Sequence, residues 1–133
     1  MKIYVSLFLV CMSLSFITCK DKDIRPINIE GKWELESSFG GWSGLQKYPP
    51  GNGSIIIFRK NNYENYSQGK LVKNGTYQIT RATSFMTNTI DNQIIFDGNL
   101  DTIHSFIEIN EGKLIFAFDA YDAGSTTYGR ISK

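Results

Sequence analysis

Gly31 to Ser38 alternates strictly, with Trp33, Leu35 and Ser37 falling on one face and Lys32, Glu34 and Glu36 on the other. A period of two puts one face in a core and the other in water, so this stretch is a half-buried β-strand opened by a glycine. From Ile29 onward no helical period is sustained. The remaining chain breaks into short runs rich in β-branched and aromatic residues, separated by Gly, Asn and Asp. Apolar residues make up 41% of the 133 and aromatics 14%, enough for the core of a single domain and too much for a disordered chain.

The runs can be counted. After the first strand, Ser54 to Lys60 carries Ile55, Ile56, Ile57 and Phe58 in unbroken sequence, and Tyr63 to Ser67 follows a turn expected at Asn61-Asn62. Gln68-Gly69 turns the chain again. Asn74-Gly75 follows so soon that it is expected to be a glycine bulge inside one long strand, Leu71 to Arg81. Ala82 to Asp91 reads as a Thr-rich loop. Asn92 to Asp97, Thr102 to Ile109, Lys113 to Asp119 and Ser125 to Lys133 complete eight strands, with turns at Asp97-Gly98-Asn99 and Asn110-Glu111-Gly112. Hairpin-linked strands in this number predict an all-β, up-and-down, antiparallel barrel, small or partly open, which removes the sheet edges that invite aggregation.

Phe39 to Gly53 is dense in glycine and proline and is expected to be an irregular loop. Loops of this length in compact domains are usually functional or disordered, and Phe39, Trp42, Leu45 and Tyr48 argue against disorder.

The N-terminus has a different character. Met1-Lys2 is a short positive start, Ile3 to Ile17 is an apolar run too short for a comfortable transmembrane helix, and Phe16-Ile17-Thr18-Cys19 ends it. This is the pattern of an export signal. Lys20 to Pro26 is charged and proline-ended, which suits a tether. The expected organisation is a signal peptide over 1–18, a tethering N-terminus over 19–28 and a barrel domain over 29–133.

Removing Lys2 leaves 13 basic residues against 13 acidic ones, which gives no electrostatic footprint for nucleic acid. Loss of the apolar run with Cys11 would leave only Cys19, so no disulfide framework is possible and thiol catalysis has no candidate. His104 is the only histidine, which leaves a Ser-His-Asp arrangement or a His-based metal site with one anchor. Its parity predicts an outward-facing surface side chain. Asp119 and Asp122 bracket a glycine-ended turn and are expected to cap the last hairpin. No catalytic residue, metal site or cofactor is assigned, and the chain is expected not to be an enzyme.

Several motifs resemble a known family. Phe16-Ile17-Thr18-Cys19 resembles a bacterial lipobox, in which the cysteine is acylated, with palmitate among the chains carried, and anchors the protein in a lipid bilayer. Gly31-Lys32-Trp33 resembles the Gly-x-Trp motif of the lipocalins, and Tyr128-Gly129-Arg130 their last-strand arginine. The block Phe58 to Tyr66, followed by Gly69 to Tyr77, is similar to lipocalin-like lipoproteins of the Bacteroidetes. Phe16 and Thr18 depart from the usual lipobox residues, and the chain is shorter than a typical lipocalin.

The resemblance implies an outer-membrane lipoprotein of a Gram-negative bacterium, facing the periplasm or the cell surface. Gly31, Trp33 and Arg130 would form a structural seal at the closed end of the barrel. The long first loop would lie over the open end, making Trp42, Leu45 and Tyr48 lid candidates and Tyr77, Ile79, Leu114, Phe116 and Phe118 wall candidates for a small apolar ligand. The same wall side chains would equally fill a packed core. In that case the protein would act through its surface, as an envelope-complex subunit or an enzyme inhibitor with a protein partner.

Overall fold

A computed structural model describes residues 26–100 and 103–132. The expected signal peptide, Cys19, most of the tether and the first residue of the predicted strand at Thr102 lie outside them. Among the described residues nine strands form: β1 (Gly31–Gly40), β2 (Gly44–Lys47), β3 (Ile55–Arg59), β4 (Asn62–Ser67), β5 (Lys70–Thr83), β6 (Ile90–Phe96), β7 (Ser105–Asn110), β8 (Lys113–Phe118) and β9 (Ser125–Ser132). All pairings are antiparallel. β1 pairs with β3, each later strand pairs with its predecessor, and β9 returns to β1, closing an eight-stranded barrel. The ninth strand, β2, lies beside the upper part of β1.

That extra strand corrects the expectation of an irregular loop over residues 39–53. Phe39 and Gly40 extend β1, a single 3-10 turn occupies Gly41–Ser43, and β2 pairs back on β1 from Ser37↔Lys47 to Gly40↔Gly44. β3 takes the other half of the same edge, from Gly31↔Phe58 to Glu34↔Ile55. The crossing between the two halves is fastened by Glu34, whose carboxylate accepts from the backbone N–H groups of Gly51 (3.0 Å) and Gly53 (3.4 Å). Next to its turn the hairpin meets the β8–β9 connection so closely that a Cβ on Gly40 would overlap Gly124.

The turns obey the sequence with small shifts. Gln68-Gly69 and Glu111-Gly112 both have positive φ at two successive residues, the combination that suits two-residue hairpins. The β3–β4 turn falls at Lys60-Asn61, one residue earlier than expected, and Asn62 is already in β4. The bulge is not at Gly75. The register slips between Asn65 and Tyr66, which face Lys73 and Leu71 and leave Val72 as the extra residue, whereas Gly75 pairs regularly with Tyr63. Glycine is needed at position 75 because the Asp97 carboxylate occupies the space a Cβ would fill.

One end of the barrel is solid. Trp33, Phe58, Ile29 and Leu114 are fully buried, and Ile56, Tyr63, Ile94, Ile107 and Phe116 join them. Edge-to-face contacts between Phe58 and Tyr77 (4.8 Å), Tyr63 and Phe96 (4.7 Å), and Phe116 and Tyr128 (5.5 Å) join rings from adjacent or next-but-one strands. Residues 26–30 cross this end. The indole N–H of Trp33 donates to the Ile29 carbonyl (2.8 Å), Ile27 packs on the core, and the backbone N–H of Lys60 donates to Glu30 (3.0 Å). Arg130 covers the indole at 4.1 Å and donates to the Glu30 carbonyl at 2.7 Å.

The wall at β6 and β7 is packed on both sides: Gln93, Ile95 and Phe106 have the parity opposite to Ile94 and Ile107 and are also buried. Asp119 does not cap the last hairpin as expected. It receives the β5–β6 connection, accepting from the Ser84 hydroxyl (2.8 Å) and the backbone N–H groups of Phe85 (2.7 Å) and Met86 (3.0 Å). Those three donors hold its pKa below the ordinary aspartate value although partial burial pulls the other way. His104 sits just before β7 with its ring 6.4 Å from that of Phe106, on the parity expected of it, but is half-buried and not fully exposed.

Candidate functional site

The end of the barrel opposite Trp33 is hollow. A cavity of about 250 Å³ is lined by Ile56, Tyr63, Phe96, Phe116 and Tyr128 below, with Asn65, Lys73, Ser105, Phe118 and Thr126 above. The upper residues come from the ends of strands farthest from Trp33: the end of β4, the first turns of β5, β7 and β9, and the end of β8. Alternation aims them inward, and only the register of five strands brings them to one rim.

The rim carries a polar cluster. Tyr63 donates its hydroxyl to Asp97 (2.9 Å), the backbone N–H of Thr76 donates to the other Asp97 oxygen (3.0 Å), and the Lys73 ammonium lies 3.3 Å from Asp97. The Tyr63 hydroxyl first, then the Thr76 N–H, hold the Asp97 carboxyl below its ordinary range. The same phenol, followed by Asp97, keeps Lys73 protonated above the usual lysine value. Tyr63 is pushed up, chiefly by burial. Asp97 is thus committed to three donors, while the Lys73 side chain remains 59% exposed at the mouth.

The residues expected at a ligand site divide three ways. Phe116 and Phe118 line the cavity. Tyr77, Ile79 and Leu114 face inward but lie lower, Leu114 fully buried in the plug and Tyr77 and Ile79 packed against it. Trp42, Leu45 and Tyr48 form no lid. Trp42 is 108% exposed at the hairpin tip, Leu45 is exposed beside it, and the Tyr48 hydroxyl meets Ser38 (3.1 Å), the register partner of Thr126, without lining the cavity. The hairpin stands beyond the wall because β2 pairs in line with β1 and does not fold inward. Tyr48 instead borders an outer hollow of about 470 Å³ over β1 and β9, crossed by the ion pair of Lys113 with Glu36 (2.6 Å).

Gly31 opens β1 at a φ of 133°, and Arg130 lies over the Trp33 ring at 4.1 Å. Sequence reasoning passed over Tyr63, Asn65, Lys73, Phe96, Asp97, Ser105, Thr126 and Tyr128. Gly75 was the available signal, since a glycine beside an in-register tyrosine points to another group approaching the backbone.

Among the described residues, the architecture is that of a closed eight-stranded antiparallel β-barrel with one added strand, plugged at one end and cupped at the other. No protein-family model, curated protein or solved structure matches the chain.

Proposed function

We propose that this chain is a lipocalin-like lipoprotein of the Bacteroidetes type, held on the outer membrane by an acylated Cys19, whose barrel binds or carries a small hydrophobic molecule without acting on it chemically. The observation that supports the binding role is the cup itself. Its lower wall is aliphatic and aromatic, its few polar groups converge at the rim, and the plug around Trp33 closes its floor. A concave site with an apolar wall and a few placed polar groups is the usual form of a small-molecule site.

Organic extraction of the full chain, purified from cells that make it, followed by mass spectrometry, tests this reading. A stoichiometric small apolar molecule is the expected result. An empty protein that also ignores a panel of small aromatic and branched apolar molecules and hydrophobic dyes would count against it.

A second reading rests on the hairpin tip. Phe39, Trp42 and Leu45 are exposed on a segment without charge from Phe39 to Gln46, which favours a protein that works through its surface in an envelope complex. A stoichiometric complex lost in Trp42→Ser, with ligand uptake unchanged, would favour this alternative.

A further inference from the structure

Among the described residues, Lys73 is the only charged one lining the cup. Its ammonium has three donors and lies 3.3 Å from Asp97, with the Tyr63 hydroxyl as its other polar neighbour. Asp97 does not line the cavity, and its charge is already spread over Tyr63, Thr76 and Lys73. A group entering the cup therefore meets the Lys73 ammonium on the lining, with Asp97 3.3 Å from it and outside the lining. Asn65, Ser105 and Thr126 add neutral polar groups at the same height, whereas Phe96, Phe116 and Tyr128 present rings below.

We infer that the cup selects a compact monocarboxylate, its aromatic or branched apolar body enclosed by Phe96, Phe116 and Tyr128 and its carboxylate accepting from Lys73. The inference rests on the binding role proposed above and specifies its ligand class. The volume of about 250 Å³ lies below the range of roughly 300–1,000 Å³ typical of drug-sized ligands, so a single ring or a short branched chain fits inside and a long acyl chain does not. A carboxylate on an ammonium makes charge-assisted hydrogen bonds, whereas an ester loses the charge and an amine repels it.

The test is a titration of the full chain, held in phospholipid nanodiscs, with 3-phenylpropionate, its methyl ester and 3-phenylpropylamine, followed through the backbone amide resonances of Ser105 and Thr126. The acid should bind about tenfold more tightly than the ester, the amine should bind least, and added salt should narrow the gap. Lys73→Met should erase the preference while ester binding persists, and Lys73→Arg should retain it. The undisturbed spectrum of each variant establishes that it folds. Equal affinity for acid and ester, or a preference that survives in Lys73→Met, overturns the carboxylate assignment and leaves the binding role standing. Failure of all three probes to shift either resonance overturns the binding role and the assignment with it.

Discussion

The guanidinium of Arg130 lies 4.1 Å from the centre of the Trp33 ring, across the seam where the last strand meets the first. The indole beneath it is fully buried and bonded to Ile29, and the guanidinium donates to the carbonyl of Glu30. One cation thus shields the plug from water and holds the incoming chain over it. Arg130→Ala should lower unfolding free energy by about 1–3 kcal/mol, combining a cation–π contact with a lost hydrogen bond. Chemical denaturation measures the loss, and acrylamide quenching should report a newly accessible Trp33. An unchanged midpoint would mean that the plug needs no cover.

Gly75 and Asp97 form a coupled pair. Gly75→Ala places a methyl group where the Asp97 carboxylate sits, displacing it from Tyr63 and Thr76. The expected cost is about 1–3 kcal/mol. Adding Asp97→Ala should make the alanine at 75 nearly harmless, so the two changes should be far from additive in a double-mutant cycle. Additive losses would show that Gly75 serves another purpose.

Acid should weaken the fold through the same carboxylate. The pKa of Asp97 is depressed, first by the Tyr63 hydroxyl and then by the Thr76 N–H, and that of Asp119 is depressed by its three donors against partial burial. A group whose folded pKa is below its unfolded value stabilises the protein above the unfolded value, and that contribution is lost as pH falls through the folded one. Denaturation midpoints should therefore drop progressively once pH goes below the ordinary aspartate value of 3.8. Asp97→Asn should flatten part of that decline. A midpoint profile identical to the parent's would remove Asp97 from the account.

Cys19→Ser should release the protein from the membrane fraction while leaving the barrel folded, because the core cluster among the described residues is built from Ile27 onward. Fractionation with circular dichroism on the released protein checks both halves. Membrane retention of the variant would sink the proposed acyl anchor.

Much of the barrel was legible because alternation fixes which face a side chain takes and because Gln68-Gly69, Asp97-Gly98 and Glu111-Gly112 mark turns that few other dipeptides allow. The β1–β2 hairpin was not legible. Gly40, Gly41 and Gly44 read locally as loop, and pairing with β1 overrides that weak preference. The bulge was misplaced for a related reason: Gly75 answers to Asp97, far along the chain, and not to its own strand. At the site, alternation put Leu114, Phe116 and Phe118 on the inner face without saying which is plug and which is wall. Depth along the barrel axis depends on register, and register also gathers Asn65, Lys73, Ser105 and Thr126 at one rim. Polar residues on separate strands carry no local mark of that meeting.

The seam between β1 and β9 also sets when the protein can finish folding. Arg130 finds its carbonyl partner 100 residues back along the chain, and β1 pairs with β9 from Lys32 through Phe39. Until the last strand is available, both border strands present unpaired backbone, and Trp33 lacks its cover. Closure of so distant a pair is intrinsically slow, and an unclosed sheet is the species most prone to aggregate. Deleting β9 would therefore trap the chain at this stage: the remaining strands could pair in sequence, but the circle would have no means of ending.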